Sequence, residues 1–216
     1  TTEIYTLSLH DALPISVGNR EGDVLLWALG TPQTTAKKCN VFKSLLRRLK
    51  FSPDSKWLCA TSDEGVALLS VPQLEALPLS SYGYKNMPIA FSRDSRWLAI
   101  AQGRNIAIYD LKDVFTHRQF VARVVDCYAH SLSFGPSDNT LIIASNHVIK
   151  IYAFDPVQFP IEKNLRLLNI LNESHQGKIV DLQLSPQEDI FVSVDGTGQV
   201  IRSEEHTSEL QSRQSI

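Results

Sequence analysis

"LKFSPDSKWLCATSDEGVALLSV" occupies residues 49–71. It opens with a short apolar run ending at Phe51, turns through Ser52-Pro53-Asp54-Ser55, and runs apolar again from Trp57. A second turn, Asp63-Glu64-Gly65, leads into a third apolar run. Pro and Asp stand where a type I turn accommodates them, and Gly65 offers a residue free to take positive φ. Apolar runs of this length between turn residues read as strands. "WLCA" is apolar without alternation, so both of its faces need covering. One sheet of three or four strands cannot supply that cover by itself.

The same layout recurs in "IAFSRDSRWLAIAQGRNIAIYDL" (89–111), "LSFGPSDNTLIIASNHVIKIYAF" (132–154) and "LQLSPQEDIFVSVDGTGQVI" (182–201). The residue before the first turn is Phe51, Phe91, Phe134 and then Leu184, in steps of 40, 43 and 50 residues. The third strand keeps the same period. "EGDVLLW" ends at Trp27, and the matching positions are Ser70, Tyr109 and Tyr152, in steps of 43, 39 and 43. An aromatic there buries a large flat side chain between neighbouring sheets. Repeats of roughly 40–45 residues made of short strands predict sheets stacked radially, each covering its neighbour. An unrelated antiparallel sandwich is the alternative architecture.

At this point the chain resembles the WD40 repeat family, whose repeats have this length and an "SPDG"-like first turn. The resemblance covers residues 17–201. It implies an all-β, incomplete WD40-like β-propeller with about four to five blades: a partial first, three full ones and a truncated fifth. The family also carries a buried polar set in each blade: a His before the first strand, a Ser or Thr in the second, an Asp in the next turn and a Trp in the third. The last repeat matches best, with His175, Ser193 and Asp195, and its aromatic would fall at position 203. Trp27, Tyr109 and Tyr152 are the expected blade aromatics. The other repeats depart from the pattern: no Gly-His dipeptide occurs, and Ser70 stands where an aromatic is expected.

The two ends are foreign to this pattern. "TTEIYTLSLHDALPIS" and "RSEEHTSELQSRQSI" resemble in-frame translations of the two opposed adapters used in short-read sequencing. Segments 1–16 and 202–216 are therefore expected to be adapter-derived, disordered and without a role in folding. The 17–201 portion is expected to be a fragment of a longer parent chain. His10, Asp11 and His206 carry no functional weight on this reading.

The whole chain has a formal charge of −2; removing both ends leaves about +1, from Glu3 and Asp11 on one side and Arg202, Arg213, Glu204, Glu205 and Glu209 on the other. Such a balance argues against a global nucleic-acid or anionic-membrane field. Cys39, Cys59 and Cys127 are odd in number and widely spaced, which fits a reducing compartment better than a disulfide framework. No apolar run reaches membrane-spanning length.

No phosphate loop, GxSxG elbow, HExxH or metal-spaced His/Cys cluster is present. No catalytic residue, cofactor or metal is expected. His117, His130 and His147 are far apart and read as loop or hydrogen-bonding histidines. His175, Ser193 and Asp195 have the composition of a Ser-His-Asp triad, yet the resemblance assigns them to a structural network. The connection "KKCNVFKSLLRRLK" sets Lys37, Lys38, Lys43, Arg47, Arg48 and Lys50 among apolar residues. It is a candidate partner patch for RNA or an acidic protein, against the plainer reading of a solvated connection. The stretch 155–175 lengthens the connection before the last repeat, and Leu165, Leu167, Leu168, Ile170 and Leu171 are expected to form an outer strand or short helix.

The resemblance implies a non-catalytic protein-interaction scaffold. Its partners are expected to be other proteins in a multiprotein complex, without membrane contact, in an intracellular setting, cytoplasmic or nuclear. A nucleolar ribosome-assembly propeller of the cirhin type, reaching RNA through a ribonucleoprotein, is the alternative. A propeller hydrolase is the third class.

Overall fold

The computed structural model describes residues 4–7, 14–28, 36–85, 87–112, 114, 120–124, 127–156, 164–171, 175–185 and 190–204. His117 and residues 1–3 and 205–216 lie outside them. The described residues are strands and turns arranged in five antiparallel sheets, with no helix. The chain forms two compact units, Thr1–Met87 and Pro88–Ile216.

In the first unit, β1 (Ile4–Leu7), β2 (Pro14–Gly18), β3 (Asp23–Ala28) and β4 (Lys37–Asn40) form one sheet in chain order. A second sheet follows with β5 (Leu46–Phe51), β6 (Trp57–Ser62), β7 (Val66–Ser70) and β8 (Ala76–Ser80). Val24 and Leu26 of β3 pack with Leu49, Phe51, Leu58 and Leu69 of the second sheet. Gly18 makes this approach close, because a Cβ there would meet Leu46 Cδ1 at 2.7 Å.

In the second unit, β9 (Ile89–Phe91), β10 (Trp97–Gln102), β11 (Asn105–Asp110) and β12 (Phe120–Val124) form a third sheet. A fourth holds β13 (Ser131–Phe134), β14 (Thr140–Ser145), β15 (Val148–Phe154) and β16 (Leu165–Leu171). The fifth has three strands among the described residues, β17 (Ile179–Leu184), β18 (Ile190–Asp195) and β19 (Val200–Glu204). Strand β14 is buried along its whole length. Its Leu141 and Ile143 join the core shared with Ile106 and Ile108. Its Ile142 and Ala144 join the core shared with Leu182 and Phe191. This two-sided burial is why "TLIIAS" shows no polar alternation.

Local chemistry sets the turns. Ser52 Oγ accepts the Trp57 amide (3.0 Å) and donates to Asp54 Oδ1 (2.6 Å), which also accepts the Lys56 amide (3.1 Å). Ser92 and Asp94 repeat this set around Trp97 and Arg96 at 2.8, 2.6 and 2.9 Å. Ser55, Ser95 and Asp138 close the three turns with φ of 59, 62 and 57°. Asp138 has a further use: its carboxylate accepts the Arg93 and Asp94 amides at 2.7 and 2.9 Å, tying the turn of the fourth sheet to that of the third.

Three sequence expectations need correction. Gly65 does not take positive φ; it is needed because a Cβ would run into the Ser80 carbonyl oxygen. Gly22 and Gly198, which the repeat alignment matches, do take it, at 82 and 88°. The third-strand slot in the second sheet belongs to Leu69, not Ser70. Leu69 lies opposite Leu58 as Tyr109 lies opposite Leu98, Tyr152 opposite Leu141 and Ser203 opposite Phe191. Leu69 is fully buried and fills the place of the apparently missing aromatic. Finally, Ile4–Leu7 and Pro14–Gly18 are paired strands rather than an unstructured arm. Their short, partly alternating apolar pattern suits addition to a sheet edge whatever its origin.

The register of Leu69 has a direct consequence. Leu69→Ala is expected to lower stability by about 2–5 kcal/mol through lost burial and a residual cavity. Ser70→Ala removes only a 3.2 Å contact from the Glu75 amide, and should cost about 1 kcal/mol or less in the same denaturant titration.

Candidate functional site

The three residues of the expected polar network do meet. His175 stands just before β17, Ser193 on β18 and Asp195 at its end. His175 Nε2 lies 2.7 Å from Ser193 Oγ, and Nδ1 lies 3.3 Å from Asp195 Oδ2, both side chains of the latter pair fully buried. That second contact is too poorly aligned to count as a hydrogen bond. A carboxylate can only accept, so the ring proton belongs on Nδ1 and Nε2 accepts the Ser193 hydroxyl. Asp195 is anchored independently: Oδ1 accepts from Thr197 Oγ1 (2.6 Å) and from the amides of Thr197 and Gln199 (2.9 and 3.0 Å). Oδ2 accepts the Gly177 amide at 2.9 Å, and a Cβ on Gly177 would press on Thr197 Cγ2 at 2.9 Å.

These bonds, led by the Thr197 hydroxyl and followed by the three amides, hold the Asp195 carboxyl well below its usual range. Burial pushes the His175 imidazole down against the opposing pull of Asp195, favouring the neutral ring. The order carboxylate, imidazole, hydroxyl is that of a hydrolytic triad. Here, however, Ser193 has no exposed surface, so its hydroxyl is not open to solvent. The arrangement instead ties the chain entering β17 to the hairpin beyond β18. At the register of Ser193 the other sheets carry Ala60, Ile100 and Ile143, so among these four sheets the network is confined to the last.

The blade aromatics fall in one register. Trp27 opposite Ile15 matches Tyr109 opposite Leu98 and Tyr152 opposite Leu141. Tyr109 is buried, whereas Trp27 and Tyr152 are half-buried.

The six cations of the basic connection are divided between two sheets. Lys37 and Lys38 lie on β4, Lys43 in the connection, and Arg47, Arg48 and Lys50 on β5. Lys38 Nζ pairs with Asp23 Oδ2 at 2.8 Å. The Lys38 contact, reinforced by hydrogen bonds from Asn19 and Asn40, holds the Asp23 carboxyl down at about 2. Arg47 grips Asp63 with two bonds of 2.9 and 2.6 Å. Lys37 Nζ donates to the Pro72 carbonyl at 3.0 Å, and the Lys43 amide donates to Glu64 Oε2 at 2.9 Å. Arg48 and Lys50 project outward from a strand whose Leu46, Leu49 and Phe51 are buried. The run of cations thus reflects the outward register of an edge strand, with its nearest carboxylates already engaged.

Sequence reading passed over three exposed side chains. Tyr82 and Tyr84 stand 76 and 48% exposed beyond β8, and Tyr128 is 53% exposed with the Arg104 guanidinium 5.7 Å from its ring centre. Exposed aromatics in a connection leave no periodic signal to find them by. The three cysteines are unpaired, and burial pushes each thiol up from its ordinary value. Among the described residues no group of three His, Cys, Asp or Glu side chains could hold a metal ion, and no helix is long and apolar enough to cross a membrane.

No protein-family model and no curated protein matches this chain. Solved structures do. A chain in the crystal structure of the mitotic checkpoint complex is 15% identical, with 94% of this chain and 61% of that one covered and a TM-score of 0.72. Sqt1 from Chaetomium thermophilum is 16% identical, with 93 and 55% covered and a TM-score of 0.74. This chain thus spans little more than half the length of the solved chains it matches. At such identities the likeness is one of fold: an all-β, incomplete WD40-like β-propeller.

A neutral buried His175 destabilises the fold when it must be protonated. Its folded pKa is depressed, so the unfolded chain binds more protons and stability falls as pH drops below the unfolded value of roughly 6.5. The half-buried His130 shares the direction, again through burial. Between pH 7 and 5 the thermal midpoint should decline, and His175→Gln should flatten that decline in a His130→Gln background. Ser193→Ala should cost about 1–3 kcal/mol, and a fluorophosphonate probe should leave Ser193 of the native protein unlabelled.

Proposed function

We propose that this chain contributes part of a non-catalytic, intracellular protein-interaction scaffold, in which packed sheets hold side chains for partner proteins at fixed positions. The observation that carries this reading is strand β16. Leu167, Leu168 and Ile170 are 43, 48 and 38% exposed there, on an outer strand of a sheet whose β14 strand is fully buried. Large aliphatic side chains held on a rigid element fit a protein partner better than a nucleic acid or a small substrate. The unpaired thiols support the intracellular setting. The nucleolar alternative, with RNA as partner, rested on the basic connection, and the pairing of Lys38 with Asp23 and of Arg47 with Asp63 weakens that support. Burial of Ser193 speaks equally against a propeller hydrolase.

We also read segments 1–16 and 202–216 as appended adapter sequence. Two register slots support this. Ser16 is fully buried with an unpartnered hydroxyl where the other sheets place Cys59, Ala99 and Ile142. Ser203 occupies the slot of Tyr109 and Tyr152. An independently amplified parent transcript should lack both segments and encode an aromatic at position 203; finding the same Ser codons there would refute the reading.

For the scaffold itself, a native affinity purification of the tagged protein should recover protein partners that persist through RNase treatment. Leu168→Glu should reduce their recovery without moving the thermal midpoint. Recovery abolished by RNase and indifferent to Leu168→Glu would favour the ribonucleoprotein alternative.

A further inference from the structure

Strand β16 is covered at one end and open at the other. Asn164, just before it, is buried, and its Nδ2 donates to the Val121 carbonyl of β12 at 2.7 Å. Leu165 packs there with Phe154 and Val121 on the core shared by the third and fourth sheets. Farther along, Leu167 and Ile170 are 43 and 38% exposed. They stand opposite Tyr152 and Lys150 of β15. This is the side turned from Ile149 and Ile151, which enter the core shared with the fifth sheet. Both walls of the seam, β12 and the β15–β16 pair, belong to the second unit and to the repeat pattern.

Leu168 is the extra residue of a β-bulge, because Tyr152 pairs with Leu167 and Ile151 with Asn169. A bulge interrupts the ladder and re-aims side chains. An incoming strand would therefore find no continuous row of backbone bonds along β16. A helix needs no such bonds, only side-chain contact. The spacing suits one: the Tyr152–Leu167 and Lys150–Ile170 pairs are two residues apart on β15, about 6–7 Å, and side chains i and i+4 of a helix are about 6 Å apart. Charge narrows the choice further. Lys150 is half-buried on the same side, within electrostatic reach of the Cys127 thiol, and no described carboxylate pairs with it. The described carboxylate nearest to it in sequence, Asp155, stands five residues on, roughly 16 Å along an extended chain.

We propose that this seam binds an acidic amphipathic helix of a partner protein, with aliphatic side chains one turn apart against Leu167 and Ile170 and a carboxylate on Lys150. Leu168, 48% exposed beside them, widens the apolar contact. The proposal rests on the scaffold reading and gives its partner a chemistry. Nucleic acid suits the seam poorly, because large aliphatic side chains dominate it, whereas a phosphate backbone calls for a track of cations.

The test selects helical peptides, from a phage-displayed library randomised on one face, against the full chain. The recovered sequences should carry aliphatic residues at i and i+4 with Asp or Glu on the adjoining turn. Binding of the consensus peptide, read by fluorescence anisotropy, should weaken about tenfold or more for Leu167→Ser and for Lys150→Glu. A peptide with its acidic residues replaced by lysine should bind Lys150→Glu better than it binds the wild type. If Leu167→Ser lowers the thermal midpoint, Ile170→Ser disrupts the same site. A library that yields no binder, a consensus without acidic residues, or a peptide indifferent to both substitutions would overturn the proposal. The selection uses no cellular partner, so it can fail while RNase-resistant recovery sensitive to Leu168→Glu stands, and that recovery can fail while the selection succeeds.

Discussion

The need to cover both faces of the second strand in each repeat organises the structure. Strand β14 shows it most fully: Leu141 and Ile143 enter one core while Ile142 and Ala144 enter another. A strand built this way is stable only between two sheets, because each exposed face would leave aliphatic surface in water at about 25 cal/mol per Å². The remaining features serve that stacking. Turns of the Ser52 and Ser92 kind are satisfied within themselves by hydroxyl and carboxylate, so the sheets can approach without stranded polar groups. Asp138 goes further and lends its carboxylate to the neighbouring turn.

Against this apolar background the His175 network is a local exception. Apolar side chains occupy the position of Ser193 in three other sheets. The last sheet instead uses polar bonds to hold the chain entering β17 against the hairpin after β18. Its Asp195 is satisfied four times over, while His175 Nδ1 is left with only a distant, misaligned carboxylate. The weak member of the network is therefore the imidazole, and it is the member whose protonation state responds to mild acid.

The basic connection makes the same point for charge. Six cations in fourteen residues suggest a field on paper. In the fold, Lys38 and Arg47 face Asp23 and Asp63, carboxylates distant from them in sequence but adjacent through strand pairing and turn placement. Surface pairs of this kind contribute little stability, but they offset the charge of two of the six cations.

Much of the architecture was legible in the residues. Phe51, Phe91, Phe134 and Leu184 repeat at blade length, the Ser-Pro-Asp-Ser turn announces itself, and Gly22 and Gly198 match in both sequence and positive φ. Period and turn chemistry are local properties, and a linear chain displays them. His175, Ser193 and Asp195 were also legible, through the repeat pattern to which they belong. The rest needed the third dimension. Strand register decided that Leu69, not Ser70, fills the third-strand slot, because a shift of one residue turns a side chain to the opposite face and length alone does not reveal which face is covered. Burial decided that Ser193 is sealed and that Val192 is open at a place where its counterparts are closed, because solvent access depends on which sheet lies beside which, and strand pairing and turn placement brought Lys38 and Arg47 to carboxylates distant in sequence.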